Sequence, residues 1–493
     1  FKSMDENPTV YHTMNGPSEF HVVGSLKTWD ITDRLYEITT PTLLVSGRHD
    51  EATPLIVGQI HERIPGWRFF RSTFFLPAVI STVVVGLVAQ VVRGRSLSDL
   101  LGGRTEFTFD ALTILYPLVS DGKLRPLADG PLPDPRDPDR DPTQVPGFWL
   151  GLAMMQNLFV LEHNTICDRL LRGDPNRTDE WLFQHARLIN AALMAKIHTV
   201  EWTPVVISHP TTRFALPANW WGLAGERIHR LLGRISSSEA ISGIPGSRTQ
   251  HFGVPYVMTE EFVAVYRMHP LLPDVYDFRR AEDNGPIREL TLQEIAGRNA
   301  LGVLDDIPMP DLLYSFGTIH PGLVTLHNYP WSLQTFERPD GSGKMDVAAT
   351  DILRIRELGV PRYNEFRRLL HLAPANDFES LTDNPTWAEE LRQVYRDDIE
   401  KVDLMVGMFA EPRPEGFAFS DTAFRIFILM ASRRLNSDRF FTNDYTPEVY
   451  TRVGLDWVER TTMRDVLLRH YPTLHPVLDP IENAFTPWAR PSR

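Results

Sequence analysis

Residues 259–274, Thr-Glu-Glu-Phe-Val-Ala-Val-Tyr-Arg-Met-His-Pro-Leu-Leu-Pro-Asp, constrain this chain more than any other stretch. A helical run sets Tyr266 and His269 three residues apart, so both side chains are expected to leave one face of one helix. Pro270 and Pro273 end that helix, because proline forces the preceding residue out of the helical region. A histidine held at a rigid helix end can serve as an axial haem ligand, with a phenol one turn away. Taken alone, a Tyr-x-x-His pair reads first as a buried, hydrogen-bonded histidine. The rest of the chain decides between the two.

After residue 147 the pattern is mainly helical: 147–171 and 180–203 carry apolar residues at helical spacing, and aspartate or proline separates such blocks almost to the end. No internal repeat of fixed period occurs. The 493 residues suffice for two or three domains with a sizeable core. A net charge of −13 argues against a nucleic-acid partner, since phosphate binding needs a basic surface. One cysteine, Cys167, excludes an internal disulfide and fits a reducing compartment. No charged-then-apolar signal peptide opens the chain, so a cytoplasmic or membrane-associated location is expected.

The front of the chain reads differently. Met-Asn-Gly-Pro-Ser-Glu-Phe at 14–20, Trp29-Asp30, and a strand-like run from Pro41 that ends in Gly47-Arg48-His49-Asp50 resemble the C-terminal part of a proline iminopeptidase, an α/β-hydrolase. The resemblance matches Asp50 to the acid of a Ser-Asp-His triad. No Gly-x-Ser-x-Gly elbow supplies a nucleophile, and the nearby His61 sits in a helix-like run, so the piece reads as a hydrolase remnant. Residues 72–92 are uncharged and flanked by Arg68, Arg71, Arg93 and Arg95, long enough to span a bilayer as a helix. Pro77, Gly86 and Gln90 interrupt the run, and a span and a buried or interfacial segment both stay open. Residues 121–146, rich in Pro and Asp, read as a solvated loop.

Tyr-Arg-Met-His followed by Leu-Leu-Pro-Asp resembles the proximal segment of fatty-acid alpha-dioxygenases, of the animal haem peroxidase and cyclooxygenase superfamily. That resemblance implies that His269 binds the iron of haem b and that Tyr266 becomes the radical that attacks the fatty acid. Glu162-His163-Asn164 is similar to a helix downstream of the distal site, in which the histidine is structural. Lys196-Ile-His-Thr-Val-Glu-Trp-Thr matches a segment whose His and Thr meet the substrate carboxylate, here His198 and Thr203. Five residues on an α-helix turn through about 500°, so the two share a broad face without stacking; a core histidine and a helix-end threonine before Pro204 is the plainer reading. Residues 356–368 match the superfamily's Arg-x-x-Gly-x-Pro-x-Tyr-Asn block. Asp351, just before it, takes the place of a polar partner for the proximal histidine or simply faces solvent. Residues 416–435 resemble the helix that lines the acyl channel, where Arg433 or Arg434 pairs with the carboxylate. The other arginine is then left to offset the helix dipole.

The resemblance covers about 116–490 and implies a mainly α, cyclooxygenase-like haem-peroxidase domain over 116–493. In front stand the α/β-hydrolase-like fragment at 1–70 and an apolar junction at 71–115. The implied activity is haem-dependent 2-hydroperoxidation of a fatty acid by a tyrosyl radical, with O2 and a peroxide activator. The family's distal histidine lies upstream of the Glu-His-Asn helix, yet no histidine occurs between His61 and His163. Weak activity is therefore expected, or a catalytically inactive, haem-free or membrane-associated remnant of a gene fusion.

Overall fold

The computed structural model describes residues 147–251, 259–337 and 343–491. Asp50, His61, the hydrolase-like and apolar stretches at 1–115 and the loop at 121–146 lie outside the described residues. Two helices open the described part, α1 (Leu150–Gly173) and α2 (Asp179–Ile197). Helix α1 buries Leu150, Ala153, Met154, Leu158, Ile166 and Leu170, a spacing of three and four that makes one apolar stripe. Helix α2 begins where the Thr178 hydroxyl accepts from the Trp181 amide at 3.2 Å. Asp179 and Glu180 in its first turn suit the positive end of the helix dipole. The two pack on each other.

Helix α2 runs into a π-helical turn, His198–Trp202, before the chain continues as α3 (Pro210–Trp221), α4 (Gly225–Leu232) and α5 (Glu260–Val265). The helical pattern breaks at 275–291, which forms an antiparallel hairpin of β1 (Val275–Arg279) and β2 (Pro286–Thr291). Tyr276 and Phe278, two apart, are its buried residues on β1, a period of two that departs from the helical expectation. Later helices include α6 (Val347–Glu357), α7 (Tyr363–Leu369), α8 (Leu404–Ala410), α9 (Asp421–Ser437), α10 (Pro447–Arg460) and α11 (Met463–His470).

The apolar interior falls into two clusters. One gathers α1, α2, the hairpin, α10, α11 and the C-terminal segment. The other gathers α5, α7 and α8 with residues 378–410. Gly407 lets α8 lie against α7, since a Cβ there would meet the Tyr363 ring at 2.3 Å. The block at 356–368 fastens this second cluster. Arg356 grips the buried Asp403 with two bonds of 2.8 and 2.6 Å, Arg362 joins it, and the Tyr363 hydroxyl donates to Glu411 at 2.9 Å. Two stretches cross the seam between the clusters. Helix α9 gives Phe427 and Met430 to one and Ala431 and Leu435 to the other, and the chain from Ile197 to Ile207 does the same through the π turn. Among the described residues no helix is long and apolar enough to cross a membrane.

Candidate active site

Tyr266 meets one of the crossing stretches, Arg433 and Arg434 lie on that same stretch, and His198 and Thr203 lie on the other. Tyr266 and His269 do not share a helix. Helix α5 ends at Val265, Tyr266 caps it, and His269 opens a separate 3-10 turn, His269–Leu271. The tight bond from the Met268 amide to the Tyr266 carbonyl, 2.8 Å, and the proline after His269 account for the break. Each side chain therefore has its own direction. The Tyr266 ring stacks on Phe427 of α9 at 5.8 Å and tilts against Phe262 at 4.9 Å.

Behind His269 stands a polar relay. Its Nδ1 lies 3.0 Å from the Tyr329 hydroxyl, whose proton points to Asp351 Oδ2 at 3.4 Å. Burial, then the Asp351 charge, drive the Tyr329 phenol far up, so it stays a neutral donor. With the phenol proton directed at the carboxylate, the phenol oxygen accepts from Nδ1–H, and Nε2 keeps its lone pair free for a metal. Asp351 is buried on α6, so the solvent-facing alternative for it is overturned. Its other oxygen pairs with Arg267 at 3.1 Å, and Arg354 one turn on pairs with Glu260 at 2.9 Å, fixing the His269 segment to α6. Among the described residues no group of three His, Cys, Asp or Glu could hold a bare metal ion. A lone imidazole with its back nitrogen committed fits instead an iron whose remaining ligands come from a macrocycle.

The π turn brings His198 and Thr203 together, which an α-helical reading does not. Hydrogen bonds from residue i to i+5 bring those two residues into line, and the Thr203 amide donates to the His198 carbonyl. Thr203 Oγ1 donates to that same carbonyl at 2.8 Å and lies 3.1 Å from His198 Nδ1. The hydroxyl proton being used, Oγ1 accepts from Nδ1–H, and Nε2 is the ring atom left for a ligand. Burial pushes His198 down to about 3, so the ring is neutral. A protonated carboxyl group would meet Nε2 as a hydrogen-bond donor. The same turn pairs Lys196 with Glu201 at 3.8 Å, and Lys196 Nζ also donates to the Thr461 carbonyl at 2.7 Å.

Arg433 and Arg434 both lie on α9 near the seam. Arg434 is buried and stands seven residues after Phe427, on the same face as the ring that Tyr266 stacks against. Arg433 is half-buried and, six residues after Phe427, stands about 120° round the helix from it. His163 has the structural surroundings expected of it, with Nε2 3.3 Å from the Phe183 carbonyl.

The animal haem peroxidase family model matches residues 145–482. The chain belongs to that family. Within this family it is 41% identical over 391 residues to alpha-dioxygenase 2 of Arabidopsis thaliana, covering 75% of this chain and 61% of the relative. The crystal structure of Oryza sativa fatty acid alpha-dioxygenase superposes with a TM-score of 0.67 at 39% identity, over 70% of this chain and 59% of that one. A peroxidase A from Dictyostelium discoideum, 20% identical with a TM-score of 0.54 over 70% of this chain and 61% of that one, shares the fold alone. The chain thus spans about three fifths of the length of the alpha-dioxygenases it matches. As a member of the haem peroxidases it has a haem-type fold, and its His269 segment has the donor chemistry to fit the group. Residues missed in sequence are Tyr329, Arg267 and Phe427.

Proposed function

We propose that this chain oxidises fatty acids at carbon 2, as an alpha-dioxygenase does. Haem b bound through His269 would supply the oxidising equivalent, drawn from a peroxide. Tyr266, having lost an electron and its phenolic proton, takes a hydrogen atom from carbon 2; O2 adds to the carbon radical, and the peroxyl group recovers the hydrogen from Tyr266. The product is a 2-hydroperoxy acid, and the phenoxyl radical is regenerated. His198, with Thr203 fixing its ring, and Arg434 hold the carboxyl head, the guanidinium fork matching both oxygens. Asp351 and Tyr329 orient His269.

What supports this reading most is the relay behind His269, because it leaves Nε2 available to iron. Likeness to fatty acid alpha-dioxygenases supports the substrate class. The lack of a histidine between His61 and His163 favours slow peroxide activation, since general acid–base help is worth ~10²–10⁴-fold. The hydrolase-like front piece carries no proposed peptidase role, and a cytoplasmic or membrane-associated location goes with the reading. The test is haem titration of the full chain followed by incubation with palmitic acid, hydrogen peroxide and O2. The chain and Tyr266→Phe should develop a Soret band, His269→Ala should not, and only the parent should form the 2-hydroperoxide. Equal haem affinity in His269→Ala would sink the assignment and favour a haem-free remnant.

A further inference from the structure

Helix α4, Gly225–Leu232, buries none of its residues. Ile228, Leu231 and Leu232 stand at i, i+3 and i+4 and so share one face. That face looks into solvent: Leu231 is 82% exposed and Leu232 72%. Leu223 just before the helix is 61% exposed, and Ile235 just after it 51%. Single exposed leucines are ordinary, but several large aliphatics in so short a stretch mark a surface that something covers.

The charge of this stretch points to what covers it. Residues 209–235 hold Arg213, Arg227, Arg230 and Arg234 against Glu226 alone, in a chain whose net charge is −13. Arg230 spends its charge on Glu226 at 2.5 Å and Arg234 turns to backbone carbonyls, whereas Arg227 is exposed beside Ile228. An exposed apolar face bordered by arginines is the composition of helices that lie in the plane of a membrane interface. A symmetric pair of copies would instead set these arginines against each other.

We infer that α4, with Leu223 and Ile235, is a docking face for an anionic lipid bilayer. The leucines enter the acyl boundary while Arg227 meets lipid phosphate. The choice of lipid leans on the proposed fatty-acid substrate, which partitions into membranes, but docking needs neither haem nor turnover. It also needs no membrane-spanning helix.

The test is co-sedimentation of the full chain with phosphatidylcholine vesicles, with and without about 30 mol% phosphatidylserine. The chain should bind the anionic vesicles, and raised salt should weaken the binding. Leu231→Asp/Leu232→Asp should weaken it at least about tenfold and Arg227→Gln several-fold, with thermal melting unchanged. No binding to anionic vesicles, or equal binding by all three proteins, overturns the inference. So does a sedimentation experiment in which the leucine variant turns a dimer into a monomer while the parent ignores vesicles. Because no outcome requires turnover, failure here is separable from failure of the proposed chemistry.

Discussion

His269 is held from behind by a hydroxyl and a carboxylate, and that is where single-residue changes should be read first. Asp351→Ala removes the acceptor of the relay and leaves Arg267 beside an empty place. Loss of such an outer partner typically costs 10–100-fold in metal affinity, so haem titration should show a weakening of about that size. Tyr329→Phe should act in the same direction through the orientation of the ring, visible as a shifted haem absorption spectrum. Wild-type affinity in both variants would mean that the relay does not orient the ligand. Asp351 was legible from its place before a recognised block, although its burial was not. Tyr329 was illegible, because it reaches His269 from 60 residues away on a stretch without regular pattern. The sequence leaves Arg433 and Arg434 open, and the proposal of Arg434 leans on the face of α9 that Tyr266 touches.

Elements carry a different lesson. Helical periodicity located α1 and α2, where apolar residues recur at spacings of three and four, whereas α9, apolar on nearly every side, was placed by resemblance. It failed at the π turn, where one residue beyond the α-helical count alters every pairing and composition gives no warning. It failed again where Tyr266 and His269 part, since Pro270 disturbs the backbone before it as well as after. The π turn is testable through Thr203, which is fully buried. Thr203→Val keeps the shape but removes the bond to the His198 carbonyl and strands Nδ1. A stranded buried donor costs about 1–3 kcal/mol, so the urea midpoint should fall accordingly. Thr203→Ser should recover most of the loss, and if both variants unfold alike the hydroxyl is not what matters.

Across the whole described structure, one buried carboxylate ties distant helices together. Glu162 of α1 accepts from Trp457 of α10 at 2.8 Å and from Arg469 and His470 of α11 at 2.5 and 2.8 Å. The recognised Glu-His-Asn motif thus marks a clamp between α1 and the pair α10 and α11. Burial alone would raise this carboxyl, but the bonds from His470 and Arg469 outweigh it and hold the pKa below the ordinary value. A depressed folded-state pKa contributes stability that is fully present above the unfolded value, about 4.3 for glutamate, and is lost as pH falls through the folded value. Stability of the parent should therefore hold near neutrality and drop below about pH 4. Glu162→Gln leaves Arg469 facing a neutral amide in the interior, which costs about 3–5 kcal/mol at pH 7. The gap between parent and variant should then narrow as the parent's carboxyl takes up its proton. Urea unfolding of both proteins from pH 7 down to the acid limit measures that gap directly. A gap that stayed constant through the acid range would mean that the Glu162 charge does not hold α1 to α10 and α11.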